Sequence, residues 1–143
     1  MPDVGVFEAI HTLLQITRYK PDPVSQEAVE KVIEAATKAP SGGNKQEWEF
    51  IVITNRDLIA QIARIYREIW LEEHGEEPRP GEPTVYNRAR HLAKHMHEVP
   101  VLILVCADHE RGYWGYSQDT PLVRGLYGHS IWPAVQNLFL AAR

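Results

Sequence analysis

The sequence predicts a single domain, residues 1–143, that mixes helices with a small number of strands. Three observations carry that expectation. Apolar residues recur at helical spacing in several separate segments. Two short runs, "WEFIVIT" and "VPVLILVCA", have the composition and length of strands. The 143 residues are 44% hydrophobic and 24% charged, an ordinary balance for a chain with a packed core. At this length folding buries about 68–70% of the unfolded surface, so no staples are needed. The one cysteine, Cys106, allows no disulfide within the chain.

Along the chain, Phe7, Ile10, Leu13 and Leu14 within "VGVFEAIHTLLQI" predict a first helix. "KPDPV" ends it, because proline disfavours helical backbone in the residue before it. Ser25 is placed to cap a second helix, in which Val29, Val32, Ile33 and Ala36 share a face; it runs to about Lys38 and stops at Pro40. The loop "APSGGNKQEW" then leads into the first strand. Asn55 starts a third helix with Leu58, Ile62, Ile65 and Ile69 on one side. "EEHGEEPRPGEP" is acidic and rich in proline and glycine, an exposed loop and not a domain boundary. Ala89, Leu92, Ala93 and Met96 predict a fourth helix.

The second strand is apolar throughout, as a strand buried on both faces is, and Cys106 within it reads as a small buried hydrophobe. The long connection "DHERGYWGYSQDTPLVRGLYGH" has the length of a lid or binding loop. Ser130 is a candidate N-cap for the closing segment "SIWPAVQNLFLAAR", with Pro133 tolerated in the first turn. Ile131, Trp132, Ala134, Val135, Leu138, Phe139 and Leu140 make this helix apolar nearly all round, the character of a core helix. It reaches Arg143 with no stop signal. The expectation is therefore that the natural polypeptide continues with a glycine-containing stop, a further strand and a basic residue. Uncovered, such a helix also predicts a homodimer interface that includes the last and first helices.

Several function classes recede on composition. A formal charge of −4, from 15 basic and 19 acidic residues, argues against nonspecific binding of nucleic acid or an anionic membrane. "MPDVGVFEAI" lacks the basic and long apolar regions of a signal peptide, and no apolar run approaches the ~20 residues of a membrane span. A cytoplasmic location is the expectation. His91 and His95, four apart on a predicted helix, with His97 two further on, could seat a metal on one face. No carboxylate or cysteine converges in sequence, and a solvated histidine-rich helix with no metal is the reading adopted. Tyr113, Trp114 and Tyr116 in "GYWGY" can stack on a substrate ring, fill a loop or contact a second copy. No G-x-G-x-x-G follows a strand, so no Rossmann cofactor site is indicated.

The loop "APSGGNKQEW" holds more chemistry than a turn requires. Gly42 and Gly43 let backbone approach a planar ligand and adopt conformations closed to other residues. Ser41 and Asn44 place short donors and acceptors near it, and Gln46 offers one of each. On these residues alone, a plain helix-stop turn is the alternative.

Taken in order, "RYKPDPVSQEAVEKVIEAATKAPSGGNKQEWEFIVIT", "HEVPVLILVCAD" and "SIWPAVQNLFLAAR" resemble the nitroreductase family of FMN-dependent oxidoreductases. The most specific piece, "APSGGNKQEW", is close to the family's A-P-S-x-x-N-x-Q-P-W. The resemblance implies an α+β, nitroreductase-like fold: a central, mostly antiparallel sheet flanked by helices, with FMN at a homodimer interface. It implies hydride transfer from NADH or NADPH, as co-substrate, to a small electron-poor acceptor such as a nitro compound or quinone. It also implies that Pro40, Ser41, Asn44 and Gln46 line the flavin. No catalytic side chain is singled out, since the flavin carries the redox chemistry, and the resembled family needs no metal.

Two departures stand out. Glu47 replaces the family's proline before the tryptophan. In "LQITRY", Leu14 and Thr17 stand at the two basic positions of the family's R-[SAH]-x-R-x-[FY], whose charges bind the flavin phosphate and its electron-rich edge. A dianionic phosphate without cationic partners is poorly held. Arg18, four residues after Leu14, would return a guanidinium to the same helix face, or else is a solvated surface charge. Lys20 lies beyond the expected helix end. The rival reading is a flavin-free binding or structural protein on the nitroreductase scaffold. A third is a specialised branch that fragments flavin or removes halogen.

Overall fold

The computed structural model describes residues 4–108, 111 and 129–143. Its elements are α1 (Val6–Thr12), α2 (Gln26–Thr37), a 3-10 turn (Gly42–Asn44), β1 (Trp48–Ile53), α3 (Arg56–His74), α4 (Thr84–His95), a second 3-10 turn (Met96–Glu98), β2 (Leu102–Ala107) and α5 (Ile131–Ala141). The described residues thus combine helices with one two-stranded sheet, an α+β composition. The chain divides into two compact units, Met1–Leu14, Ser25–Ile51 and Leu104–Arg143 in the first, Gln15–Val24 and Val52–Ile103 in the second. The strands are antiparallel. The Asp108 amide, just past the end of β2, donates to the carbonyl of Glu47, just before β1, and Ile53 clusters with Leu102 at the opposite ends.

In the first unit α2 packs against α5. The Ser25 hydroxyl accepts from the Ala28 amide at 3.2 Å and so satisfies an otherwise orphaned donor of α2. Val32 and Ala36, four apart, are its buried residues. Ala39, Trp48 and Ala134 form the core cluster, with Phe50 and Ile131 packed on it. Asn137 Nδ2 reaches the Ala35 carbonyl at 3.2 Å and so satisfies an acceptor near the C-terminal end of α2.

Two expectations change here, and one stands. Helix α1 stops at Thr12, and Leu13 is already extended (φ −63°, ψ 120°), so Leu14 and Arg18 share no helix face. A short helix needs tertiary packing to persist, and only Ala9 of α1 is buried while Phe7 is 77% exposed. Helix α5 is left partly uncovered, as its all-round apolar character in this sequence leads us to expect: one side packs on α2, while Trp132 and Phe139 are 69% and 52% exposed among the described residues. Strand β2 is half-buried and not covered on both faces, with Leu104 exposed and Cys106 half-buried.

In the second unit the Asn55 side chain accepts from the Leu58 amide at 3.0 Å to start α3, and Gly75, at φ 81°, ends it. The face of α3 that turns inward is Ile59 and Ala63, with Ile62 partly buried; Leu58, Ile65 and Ile69 are exposed. Two apolar stripes one residue apart share this helix, and the cluster of Ile53, Ile59 and Val99 selects between them. Arg56 fixes the approach to β2, with Nη1 donating to the carbonyls of Val99 at 2.8 Å and Glu98 at 3.2 Å. No helix among the described residues is long and apolar enough to cross a membrane.

The acidic loop after α3 is held from within by Arg90 of α4. Its Nη2 donates to both carboxylate oxygens of Glu82 at 3.0 and 2.9 Å, its Nε to the Gly75 carbonyl at 3.1 Å, and its Nη1 to Asn87 at 2.9 Å. The guanidinium also lies over the Trp70 ring, 5.3 Å from its centroid. Both members of the pair are buried, with side chains 5% and 10% exposed. Removing one partner of such a pair strands the other. Glu82→Leu is therefore expected to cost about 3–5 kcal/mol of stability, read as the shift of the urea unfolding midpoint.

Candidate cofactor site

The loop after α2 is shaped by its own backbone. Helical bonding loosens as the amides of Lys38 and Ala39 reach back only to Ala35 and Ala36, each at 3.2 Å. Ser41 is extended (φ −137°, ψ 149°). The 3-10 turn follows, closed by the Asn44 amide donating to the Ser41 carbonyl at 3.0 Å. Gly43, Asn44 and Gln46 then take φ values of 61°, 55° and 50°. Glycine does this freely and asparagine tolerates it, but glutamine does not. A strained residue of this kind costs on the order of 1–3 kcal/mol and persists where its surroundings over-determine it.

The surroundings here are specific. The Ser41 hydroxyl accepts from the Gln46 amide at 3.0 Å, and Gln46 Nε2 donates to Asn44 Oδ1 at 3.1 Å. The Gly42 amide donates to the Ser130 hydroxyl at 3.2 Å. A Cβ added at Gly42 would meet nothing within 4 Å, so its backbone lies open. The result is a hydrogen-bonded turn that displays neutral donors and acceptors.

Pro40, Ser41, Asn44 and Gln46 all lie in this turn; Ser41 is half-buried and the other three are exposed. Arg18 lies in the second unit, exposed, on a non-helical stretch. It makes no ion pair among the described residues, but its charge reaches His91. Burial, then His95, then Arg18 hold the His91 imidazole below the ordinary histidine range. His91 stacks on His95 with centroids 4.3 Å apart, and His95 Nδ1 lies 2.9 Å from Glu98 Oε1. That hydrogen bond is the main reason the Glu98 carboxyl titrates below its ordinary value. Among the described residues no three of His, Cys, Asp and Glu are placed to hold a metal ion. Tyr113, Trp114 and Tyr116 lie outside the described residues.

Two residues at the site escaped sequence reasoning. Ser130 reaches the loop across 88 residues, a proximity no local signal encodes. Glu47 is visible as a departure in the motif, but its burial is not: Oε2 is shielded from solvent without a hydrogen-bond partner.

The nitroreductase family model matches residues 16–143. The chain belongs to the nitroreductase family. Its sequence is 37% identical over 57 residues to a candidate NADH dehydrogenase/NAD(P)H nitroreductase of Archaeoglobus fulgidus, a match covering 40% of this chain and 33% of that protein. It is 31% identical over 106 residues to the iodotyrosine deiodinase of Danio rerio, covering 68% of this chain and 35% of the relative. The matched segments thus span about a third of these relatives' lengths. Among solved structures, a BluB-like flavoprotein from Clostridium difficile 630 is similar at 27% identity and a TM-score of 0.63, over 97% of this chain and 69% of that one. An iodotyrosine deiodinase bound to FMN and 3-iodo-L-tyrosine superposes with a TM-score of 0.69 at 24% identity, over 96% of this chain and 68% of that one, a likeness of fold. The α+β, nitroreductase-like fold that the sequence resemblance implied is the fold of this nitroreductase-family chain.

The buried oxygen of Glu47 has a measurable consequence. An unsatisfied buried polar group costs about 1–3 kcal/mol, more when charged. Glu47→Leu is expected to stabilise the ligand-free protein by about that amount in urea unfolding. A lowered midpoint would mean that the carboxylate finds a donor in solution.

Proposed function

We propose that this nitroreductase-family chain is the flavin-binding part of an oxidoreductase that uses FMN, takes hydride from NADH or NADPH, and reduces a small electron-poor acceptor such as a nitro compound or quinone. The observation that carries the reading is the strained turn at residues 40–46, which holds two exposed amide side chains beside open backbone. Left-handed backbone at a glutamine is retained where function needs it. The donor set suits a flavin: neutral amides match the alternating donors and acceptors of its pyrimidine edge, and a hydroxyl suits its polyol.

In this reading Pro40, Ser41, Asn44 and Gln46 bind and orient the ring and ribityl chain. Arg18, which makes no ion pair among the described residues, is the cation proposed for the phosphate. The chemistry FMN supplies when bound is acceptance of a hydride and its later release to the acceptor. The chain's own residues would hold the ring face open for two reactants in turn. Reductive removal of halogen from an aromatic is a second reading, favoured by the long match to an iodotyrosine deiodinase. Release of iodide from an iodinated phenol separates the two. The flavin-free alternative rests on Leu14 and Thr17, where the family's pattern is basic.

FMN is expected to bind more tightly than riboflavin, and Arg18→Ala to remove most of the difference. A charged hydrogen bond contributes roughly 1.5–3 kcal/mol, so the loss should be about ten- to a hundredfold in affinity. Asn44→Ala should weaken both flavins about equally. Fluorescence titration reads both patterns, and equal binding of FMN and riboflavin by the unmutated protein would favour the flavin-free reading.

We also propose a cytoplasmic homodimer. Val6, Phe7 and Ile10 of α1 and Trp132 and Phe139 of α5 are large apolar side chains left exposed in one unit, and exposed apolar surface on that scale marks an interaction site. Sedimentation equilibrium at micromolar concentration should give twice the chain mass; a stable soluble monomer would remove the proposal.

A further inference from the structure

Ser130 stands at the N-cap position of α5, but its side chain caps nothing there. A serine in that position ordinarily offers its oxygen to an amide two or three residues on. Here the residue is 6% exposed, and its hydroxyl accepts instead from the Gly42 amide at 3.2 Å. A cap is forgone and a loop is held.

The loop needs holding. Asn44 and Gln46 keep left-handed backbone without glycine's freedom, and such residues relax unless tied from more than one side. One set of ties is internal, through the carbonyl and hydroxyl of Ser41. Ser130 supplies an external one. Its own position is well anchored, because Ala134, one turn on, is completely buried with Ala39 and Trp48, which bracket the loop. Asn137, a further turn along, is bonded to the Ala35 carbonyl. The place of α5 is thereby transmitted to the backbone of Gly42.

We propose that Ser130 is a positioning residue for the cofactor turn: by fixing the Gly42 amide it holds Asn44 and Gln46 in the orientation that receives the flavin ring. The inference rests on the flavin reading above. Ser130 acts through Gly42 and touches no ligand. Loss of its hydroxyl lets the turn relax, and the ligand must then order it on binding. The penalty falls equally on FMN and riboflavin, since the phosphate is not involved.

The test uses the full chain with Ser130→Ala and Ser130→Thr, and two readouts. Amide hydrogen exchange of residues 42–46 is followed without flavin, and affinity for FMN and for riboflavin by fluorescence titration. Ser130→Ala should speed exchange at Gly42 and weaken both flavins by the same factor, about three- to tenfold for one neutral hydrogen bond. Ser130→Thr, which keeps the hydroxyl, should restore both. Gly42→Pro removes the donor instead, at a position where Ser41 is already extended, as a residue before proline must be. Adding Ser130→Ala to it should then cost nothing more, because both changes break one bond. If Ser130→Ala fails to fold, Gly42→Pro alone decides the matter: it should weaken FMN and riboflavin by one common factor, and unchanged affinity would overturn the proposal.

Unchanged exchange at Gly42, a loss confined to FMN, or additive effects of the two variants would overturn the proposal. If the unmutated protein binds neither flavin, the flavin reading fails and takes the ligand half of this inference with it. Exchange at Gly42 still decides whether Ser130 holds the turn.

Discussion

Everything around the candidate site depends on how closely α5 lies on α2. Ala36 and Ala134 have no exposed surface at all, and Ala39 and Trp48 complete the contact at either end of the loop. Alanine at these positions leaves no side chain to hold two helices apart, and close-packed interiors feel even one added methylene. The helix contact therefore places the end of α2, the first residue of β1 and Ser130 together. Those three fix where the chain leaves one helix, where it joins the sheet and where the turn between is pinned. The turn is short, but its shape follows from the helix pair.

The second unit solves its packing differently. Beside its apolar cluster of Ile53, Ile59 and Val99 it buries an arginine. Arg90 bonds a helix end, a loop carboxylate and its own helix, and lies over Trp70. Burying such a pair brings little net stability, because desolvation offsets the attraction. Its directional bonds instead select one path for the loop from Gly75 to Glu82. An apolar side chain there would be indifferent to that path.

What could be read from the sequence follows the range of the interaction that decides it. The caps at Ser25 and Asn55 and the first strand rest on neighbours within a few residues and stand as expected, while β2 starts only at Leu102, three residues into its apolar run. The length of α1 and the inward face of α3 differ from the expectation: α1 buries only Ala9, and α3 turns toward Ile53 and Val99. The stripe of Leu58, Ile65 and Ile69 satisfies helical periodicity as well as that of Ile59 and Ala63; only Val99 and Ile53 choose between them. The site divides the same way. Pro40, Ser41, Asn44 and Gln46, the residues the motif proposes, sit in one contiguous stretch and could be proposed together. Ser130 acts across 88 residues and left no local trace.

Glu47 joins the motif's departure to the geometry of the turn. A proline at this position would drive Gln46 toward extended backbone. Gln46 instead has a φ of 50°, and this brings its side-chain amide back to Asn44 and its backbone amide to the Ser41 hydroxyl. Glutamate at this position thus leaves Gln46 free to take the left-handed backbone it shows. The substitution also carries a liability, since the glutamate's own Oε2 ends up shielded and without a partner. A smaller or apolar residue would have freed Gln46 equally well, so permission to turn does not by itself account for the carboxylate. Its cost is one the ligand-free protein bears unaided, while any ligand that presents an N–H to that oxygen would lower it.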